Sequence, residues 1–124
     1  MTWTEKRKKM DEAIKKIIVP ELRKKGFSGS YPHFRNADSK NVKVLGFQFS
    51  QFAPRFSIEL ASCSKEGVTY PDGRHVDSAK IKYTECFKRG GLGQQFDFEA
   101  GNYKELCNLV LSLFEKAEEW WKNN

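Results

Sequence analysis

Cysteine is scarce in this chain, with three residues among 124: Cys63, Cys86 and Cys107. The number is odd, the spacings are wide and no Cys-x-x-Cys occurs, which argues against a zinc knuckle or a redox pair of that type. Each cysteine sits in an apolar or alternating run and reads as a buried free thiol, suited to a reducing compartment. No apolar run is long enough to span a membrane, and no apolar h-region follows the basic N-terminus. A cytoplasmic protein without membrane contact is therefore expected. Internal repeats and low-complexity segments are lacking, and so are the short strings of several common chemistries. There is no Gly-x-Ser-x-Gly nucleophile elbow and no aromatic string of the RNA-recognition type. The glycine-rich Arg89-Gly90-Gly91-Leu92-Gly93 lacks the Lys-Ser/Thr pair and following helix of a phosphate loop. It reads as a flexible turn, at which Lys88 and Arg89 offer charge to an anion.

What is present suits one domain over residues 1–124. A chain of this length buries about two thirds of its unfolded surface, enough for a core without staples. Aromatic residues make up 14%, ten of them Phe, and can fill that core; the even spread of apolar residues argues against disorder. The net charge of +6 is uneven. Residues 1–25 hold nine Lys or Arg against four acids, residues 26–101 ten against eight, and residues 102–124 three against four. The excess sits on the first segment. It permits contact with nucleic acid or an acidic protein without requiring either.

Two helix-patterned segments bracket a middle that alternates like strands. The first is capped by Thr4 and runs to Lys25, with Met10, Ala13, Ile14, Ile17 and Ile18 as its apolar stripe. Pro20 predicts a kink or a restart near Val19. Gly26 ends the helix and Phe27 folds back as a core anchor. Ser28-Gly29-Ser30 reads as a turn, Tyr31 to Arg35 as a strand pushed to an edge by Pro32, and Asn36 to Asn41 as a polar turn. Val42 and Val44 keep one phase while Leu45, Phe47 and Phe49 keep the other, which predicts a bulge at Leu45-Gly46. Phe56, Ile58 and Leu60 share one face. Pro71-Asp72-Gly73 is a turn. Lys80 to Phe87 and Gln94 to Glu99 read as further strands. Asn102 caps a last helix whose apolar arc runs from Tyr103 to Trp121. The expected fold is α+β: an antiparallel sheet of about four to six strands with the N- and C-terminal helices on one face. Ile14, Phe47, Ile58, Leu106, Val110 and Phe114 should be buried together.

Three strings carry a resemblance. They are Val19-Pro20-Glu21-Leu22-Arg23-Lys24-Lys25-Gly26-Phe27, a helix with an internal Pro before a Gly-Phe turn; Phe47-Gln48-Phe49-Ser50, a Gln-x-Ser strand; and Phe56-Ser57-Ile58-Glu59-Leu60, the Phe-x-aliphatic-x-aliphatic strand after it. In this order they resemble the domain-of-unknown-function 4304 family of small, mostly bacterial proteins. Cys86-Phe87-Lys88-Arg89 is similar to a family segment with an arginine near a strand end. The resemblance implies the fold and carries no activity.

For chemistry, Asp72, His75 and Asp77 lie on one predicted loop, where a solvated turn is a simpler reading than a metal site. Cys86 has Lys88 and Arg89 nearby to activate it, but no adjacent His. No catalytic, metal or cofactor site is assigned. The favoured surface is the polar sheet face. Gln48, Ser50, Ser57 and Glu59 point away from the helices, with Arg55 and Arg89 at its rim and Lys80, Lys82 and Thr84 alongside if their strand joins the sheet. The expected function is non-enzymatic recognition of another protein, as an inhibitor or immunity-type partner, through that face. The alternative is nucleic-acid binding by the basic helix through Lys8, Lys9, Lys15 and Lys16. An uncharacterised enzyme is the third reading. Phe52, Trp3, Trp120 and Tyr70 are the aromatics expected at the surface.

Overall fold

The first helix, α1 (Trp3–Ala13), begins two residues earlier than Thr4 suggested. Thr2 is the cap. Its hydroxyl oxygen accepts the Glu5 N–H at 3.2 Å, at the Thr-x-x-Glu spacing of a capping box. In the computed structural model, which describes residues 1–38 and 40–124, Pro20 does not break the helix. A π-helical turn, Ile14–Ile18, widens the coil, and the Val19 N–H reaches back five residues to the Ile14 carbonyl. Pro20 then lies in the first turn of α2 (Val19–Lys24), where its missing N–H costs nothing. Gly26, at φ +95°, ends α2. The Phe27 N–H bonds to the Leu22 carbonyl and the Gly26 N–H to that of Arg23, both at 3.0 Å, the paired bonds of a Schellman motif. Phe27 is buried as an anchor.

Five strands form the main sheet: β1 (Ser28–Ser30), β2 (His33–Ala37), β3 (Asn41–Phe49), β4 (Arg55–Ser64) and β7 (Lys88–Asp97), in the order β1-β2-β3-β4-β7. Every neighbouring pair is antiparallel. Ser28-Gly29-Ser30 is thus a strand, and Tyr31-Pro32 is the turn. Pro32 leaves the ladder, and β2 lies inside the sheet. Of the predicted polar turn, Ser39 lies outside the described residues; Asp38 Oδ1 accepts the Lys40 and Asn41 N–H groups at 2.7 and 2.8 Å. The Leu45-Gly46 bulge is not observed, because β3 pairs with β4 without a shift from Asn41 to Phe49. Its two apolar phases have another cause: both faces are covered at that end. The irregularity falls instead in β7, where the register jumps between Ser57 and Glu59. Arg89 to Gly93 belongs to this strand. Gly90 is required there, because the Trp120 indole occupies the space of a Cβ.

The last apolar arc forms α3 (Tyr103–Ser112) and α4 (Phe114–Asn123), parted at Leu113. Asn102 holds the cap position without a capping bond. With α1, the π turn and α2, these helices cover one sheet face. All six predicted core residues are buried in one cluster there. Trp121 Nε1–H donates to the Ala61 carbonyl at 2.9 Å, tying α4 to β4. Asp11 Oδ1 accepts from Tyr31 Oη–H at 2.6 Å and Arg7 Nε–H at 3.2 Å, tying α1 to the sheet. Burial and this carboxylate together hold the Tyr31 hydroxyl above its ordinary pKa.

Between β4 and β7 the chain leaves the sheet. This excursion holds a small hairpin, β5 (Val68–Thr69) with β6 (His75–Val76), around the predicted Pro71-Asp72-Gly73 turn. The strand predicted over Lys80 to Phe87 does not form. A 3-10 turn, Tyr83–Glu85, stands there, and the Glu85 carboxylate accepts the Lys82 N–H at 2.9 Å. The buried residues Ile81, Tyr83 and Cys86 are spaced by two and then three, which no strand period satisfies. Phe87, placed in the core phase by alternation, is 76% exposed. Ile81, Tyr83, Cys86 and Val68 pack on Val42, Val44, Ala61 and Cys63, forming a second cluster on the sheet face opposite the helices. Arg35 Nε–H fastens the excursion by donating to the Ile81 carbonyl at 2.7 Å.

Candidate functional site

Strand register decides what shares the second face. His33, Gly46, Glu59 and Gly91 form one row across β2, β3, β4 and β7; Gln48, Ser57 and Gln95 form the next; Arg55 pairs with Asp97 in β4 and β7. Side chains alternate along strands, so these rows continue the face that carries Val42, Val44, Ala61 and Cys63. The face therefore has two halves. The excursion seals the apolar half. The polar half stays open.

Tyr83 marks the boundary. Its ring lies on Gly46, in the space that a Cβ would fill. Burial and the nearby Glu59 carboxylate raise its hydroxyl pKa. His33 lies beside it, the ring centroids 5.9 Å apart and the planes tilted by 35°. His33 Nδ1 is buried and has no hydrogen-bond partner among the described residues. Burial first, then Lys82 and Arg35, hold its pKa below the ordinary value.

Beyond that boundary lies a shallow cleft of about 260 Å³, lined by Gln48, Ser50, Arg55, Ser57, Glu59 and Gln95 with the edges of Phe49 and Phe56. A second hollow of about 440 Å³ runs along the β7 irregularity and shares Ser57, Glu59 and Gln95. Four of the six predicted face residues, Gln48, Ser50, Ser57 and Glu59, converge here, and Arg55 rims the cleft. Ser57 Oγ–H donates to Glu59 Oε1 at 3.0 Å, fixing the carboxylate. Ser50 Oγ accepts the Phe52 N–H at 3.1 Å and so also serves the β3–β4 connection. Arg55 Nε sits 3.7 Å from Asp97 Oδ2. Arg89 does not rim the cleft. It stands opposite Ala61 within β7, its guanidinium 5.5 Å from the Tyr83 ring centre, over the sealed half. Lys80, Lys82 and Thr84 belong to the excursion and not to the sheet. Gln95, Tyr83 and His33 were not singled out for this face. Gln95 was hidden by the register jump, and Tyr83 by its reading as a strand residue.

The other candidates separate. His75 Nε2 lies 3.5 Å from Asp77 Oδ1, while Asp72 Oδ1 accepts the Arg74 N–H at 2.9 Å within the turn. No three ligands converge among the described residues. The Cys86 thiol is buried, and its neighbour Cys63 and burial push it above its ordinary range, the reverse of an activated nucleophile. Lys8, Lys9, Lys15 and Lys16 are all exposed. Lys9 and Lys16 flank a groove of about 720 Å³ beside Tyr103 and Lys104. Glu12 lies three or four residues from each of the four lysines, about one helical turn away, and dilutes their field. Phe52 is exposed as expected and Trp3 at 40%, whereas Trp120 and Tyr70 are half-buried.

Residues 18–124 match the family described as a domain of unknown function (DUF4304). The chain belongs to this family. The three strings that first suggested it all fall in the matched span. So do Gln48, Ser50, Ser57, Glu59 and Gln95, while Lys8, Lys9, Lys15 and Lys16 precede it. No curated protein and no solved structure matches the chain. Family membership thus bears on the fold and brings no activity with it. No helix among the described residues is long and apolar enough to cross a membrane.

Proposed function

We propose that the protein is a non-enzymatic binding protein of the cytoplasm that recognises another protein, as an inhibitor or immunity-type partner does, through the open half of its second sheet face. The observation that carries this reading is the division of that face. Four polar side chains, Gln48, Ser57, Glu59 and Gln95, stand on adjacent strands around one cleft, while the rest of the face is sealed by the chain itself. Groups on strands are held more precisely than groups on loops, which suits recognition by hydrogen bonds at fixed spacing. The cleft and the hollow beside it lie open on the sheet surface, which suits side chains of a partner surface. Replacing Gln48 and Glu59 together by Ala should change stability by no more than about 0.5 kcal/mol while weakening binding to the partner captured by the wild-type protein. Unchanged binding would remove the sheet face from consideration.

Nucleic-acid binding by the basic helix is the second reading, favoured by the exposure of all four lysines. It predicts retention on a nucleic-acid column at low salt, a steep loss with added salt, and no retention once Lys8, Lys9, Lys15 and Lys16 are changed to Glu. Failure of the wild-type protein to bind at low salt would exclude it.

A further inference from the structure

Two of the three cysteines share the second cluster. Cys63, near the end of β4, is 8% exposed, and Cys86, just after the 3-10 turn, is 4% exposed. The pairing of Lys88 with Ser62 brings the chain from residue 86 alongside the end of β4. Cys63 alternates with Ala61 and Glu59, so its side chain points to the face that the excursion covers. Cys86 lies beneath that cover, its Sγ 3.5 Å from the Lys82 carbonyl. One thiol thus belongs to the sheet and the other to the excursion, and both lie in one buried cluster where the two segments run side by side. Cys107 sits in the other cluster, across the sheet.

We propose that Cys63 and Cys86 are a modification site at which a small-molecule disulfide, of the oxidised glutathione class, closes an intramolecular disulfide that staples the excursion to β4. The Cys63 thiolate attacks one sulfur of the small disulfide. A mixed disulfide forms at Cys63 and one small thiolate leaves. Cys86 then gives up its proton and attacks the Cys63 sulfur, the mixed disulfide breaks, and the second small thiolate leaves. The protein loses two electrons and two protons, and the oxidant becomes two thiols. Cys63, the more exposed of the two at 8% against 4%, is the thiol that the small disulfide meets first, and Cys86 beside it resolves the mixed disulfide. Intracellular disulfides of this kind are transient and redox-sensing. The staple would fix Tyr83, three residues from Cys86, as the wall between the sealed and open halves of the face.

The test is to incubate the folded protein with oxidised glutathione, unfold it, and titrate free thiols. The expected count falls from three to one, peptide mapping finds Cys63 joined to Cys86 with the loss of two hydrogens, and dithiothreitol restores all three. Trypsin should cut the excursion at Lys65, Arg74, Lys80 and Lys82 more slowly in the oxidised form under non-reducing conditions. Cys86→Ser should stop at a mixed disulfide on Cys63. Three free thiols after oxidation, a link to Cys107, or a mixed disulfide that never closes in the wild-type protein would each overturn the proposal. None of these readouts depends on what the open cleft binds.

Discussion

Gly46→Ala tests whether the excursion covers the sheet. Gly46 is buried at the middle of β3, with an ordinary strand backbone that alanine accepts. Seen from the strand alone, the change should stabilise the chain by about 0.4–1 kcal/mol, because it lowers the entropy of the unfolded state. The Tyr83 ring reverses the sign. A Cβ at Gly46 would meet Tyr83 Cδ1 and Cε1 far inside contact distance, and overpacking of this kind costs about 1–3 kcal/mol. The net expectation is a loss of about 1–2 kcal/mol. At a urea slope of about 2 kcal/mol per M, the midpoint should fall by roughly 0.5–1 M with the slope unchanged. The double variant Gly46→Ala, Tyr83→Ala separates this cause from others. With the ring gone, the new methyl has room, so Gly46→Ala should cost nothing on the Tyr83→Ala background, a coupling of about 1–2 kcal/mol. A neutral or stabilising Gly46→Ala, or two strictly additive losses, would show that Tyr83 does not rest on β3 and that the polar face is longer than described.

Two further measurements probe the core and the titration. Phe114 is 6% exposed and meets Phe27 and Trp121 at centroid distances of 6.0 Å; Phe114→Ala should cost about 3–5 kcal/mol in urea unfolding, and a loss below about 1 kcal/mol would contradict its burial in the core. The folded state holds the His33 pKa low, so below about pH 6.5 the unfolded chain binds a proton that the folded chain resists. Stability should therefore fall as pH drops through that window, and His33→Gln should flatten the fall; an unaltered pH slope would refute the burial of Nδ1.

How much of this was readable in advance depended on the range of the interaction that set each element. Phe47, Phe49, Phe56, Ile58 and Leu60 declare their face within a few residues, so the helix-covered side of the sheet followed from alternation. The glycines of β7 resembled a turn because their reason lies elsewhere in the sequence: Gly90 is small for the sake of Trp120, on a helix that follows the strand. Ser28 to Ser30 has no apolar alternation, and its strand rests on backbone pairing with β2. The Thr2-x-x-Glu5 box is a local signal, with Thr4 two residues on as a competing cap.

The polar face was readable as a pattern but not as a bounded site. The same strands carry two messages on that face, apolar at Val42, Val44, Ala61 and Cys63 and polar at Gln48, Ser57 and Glu59, and in the sequence the first looks like the phase change of a bulge. The change falls at the row of Gly46 and Glu59, where Tyr83 comes down on the sheet. A partner on the open half would therefore meet an edge made by the excursion, and the exposed area depends on where Tyr83 rests. Tyr83 is held from both sides, by the Arg35 bond to the Ile81 carbonyl and by the burial of Cys86. A change in the Cys63–Cys86 pair acts on that second anchor. The bounded cleft and the thiol pair are thus two consequences of one feature, a segment that leaves the sheet after β4 and returns at β7 after covering half of a face.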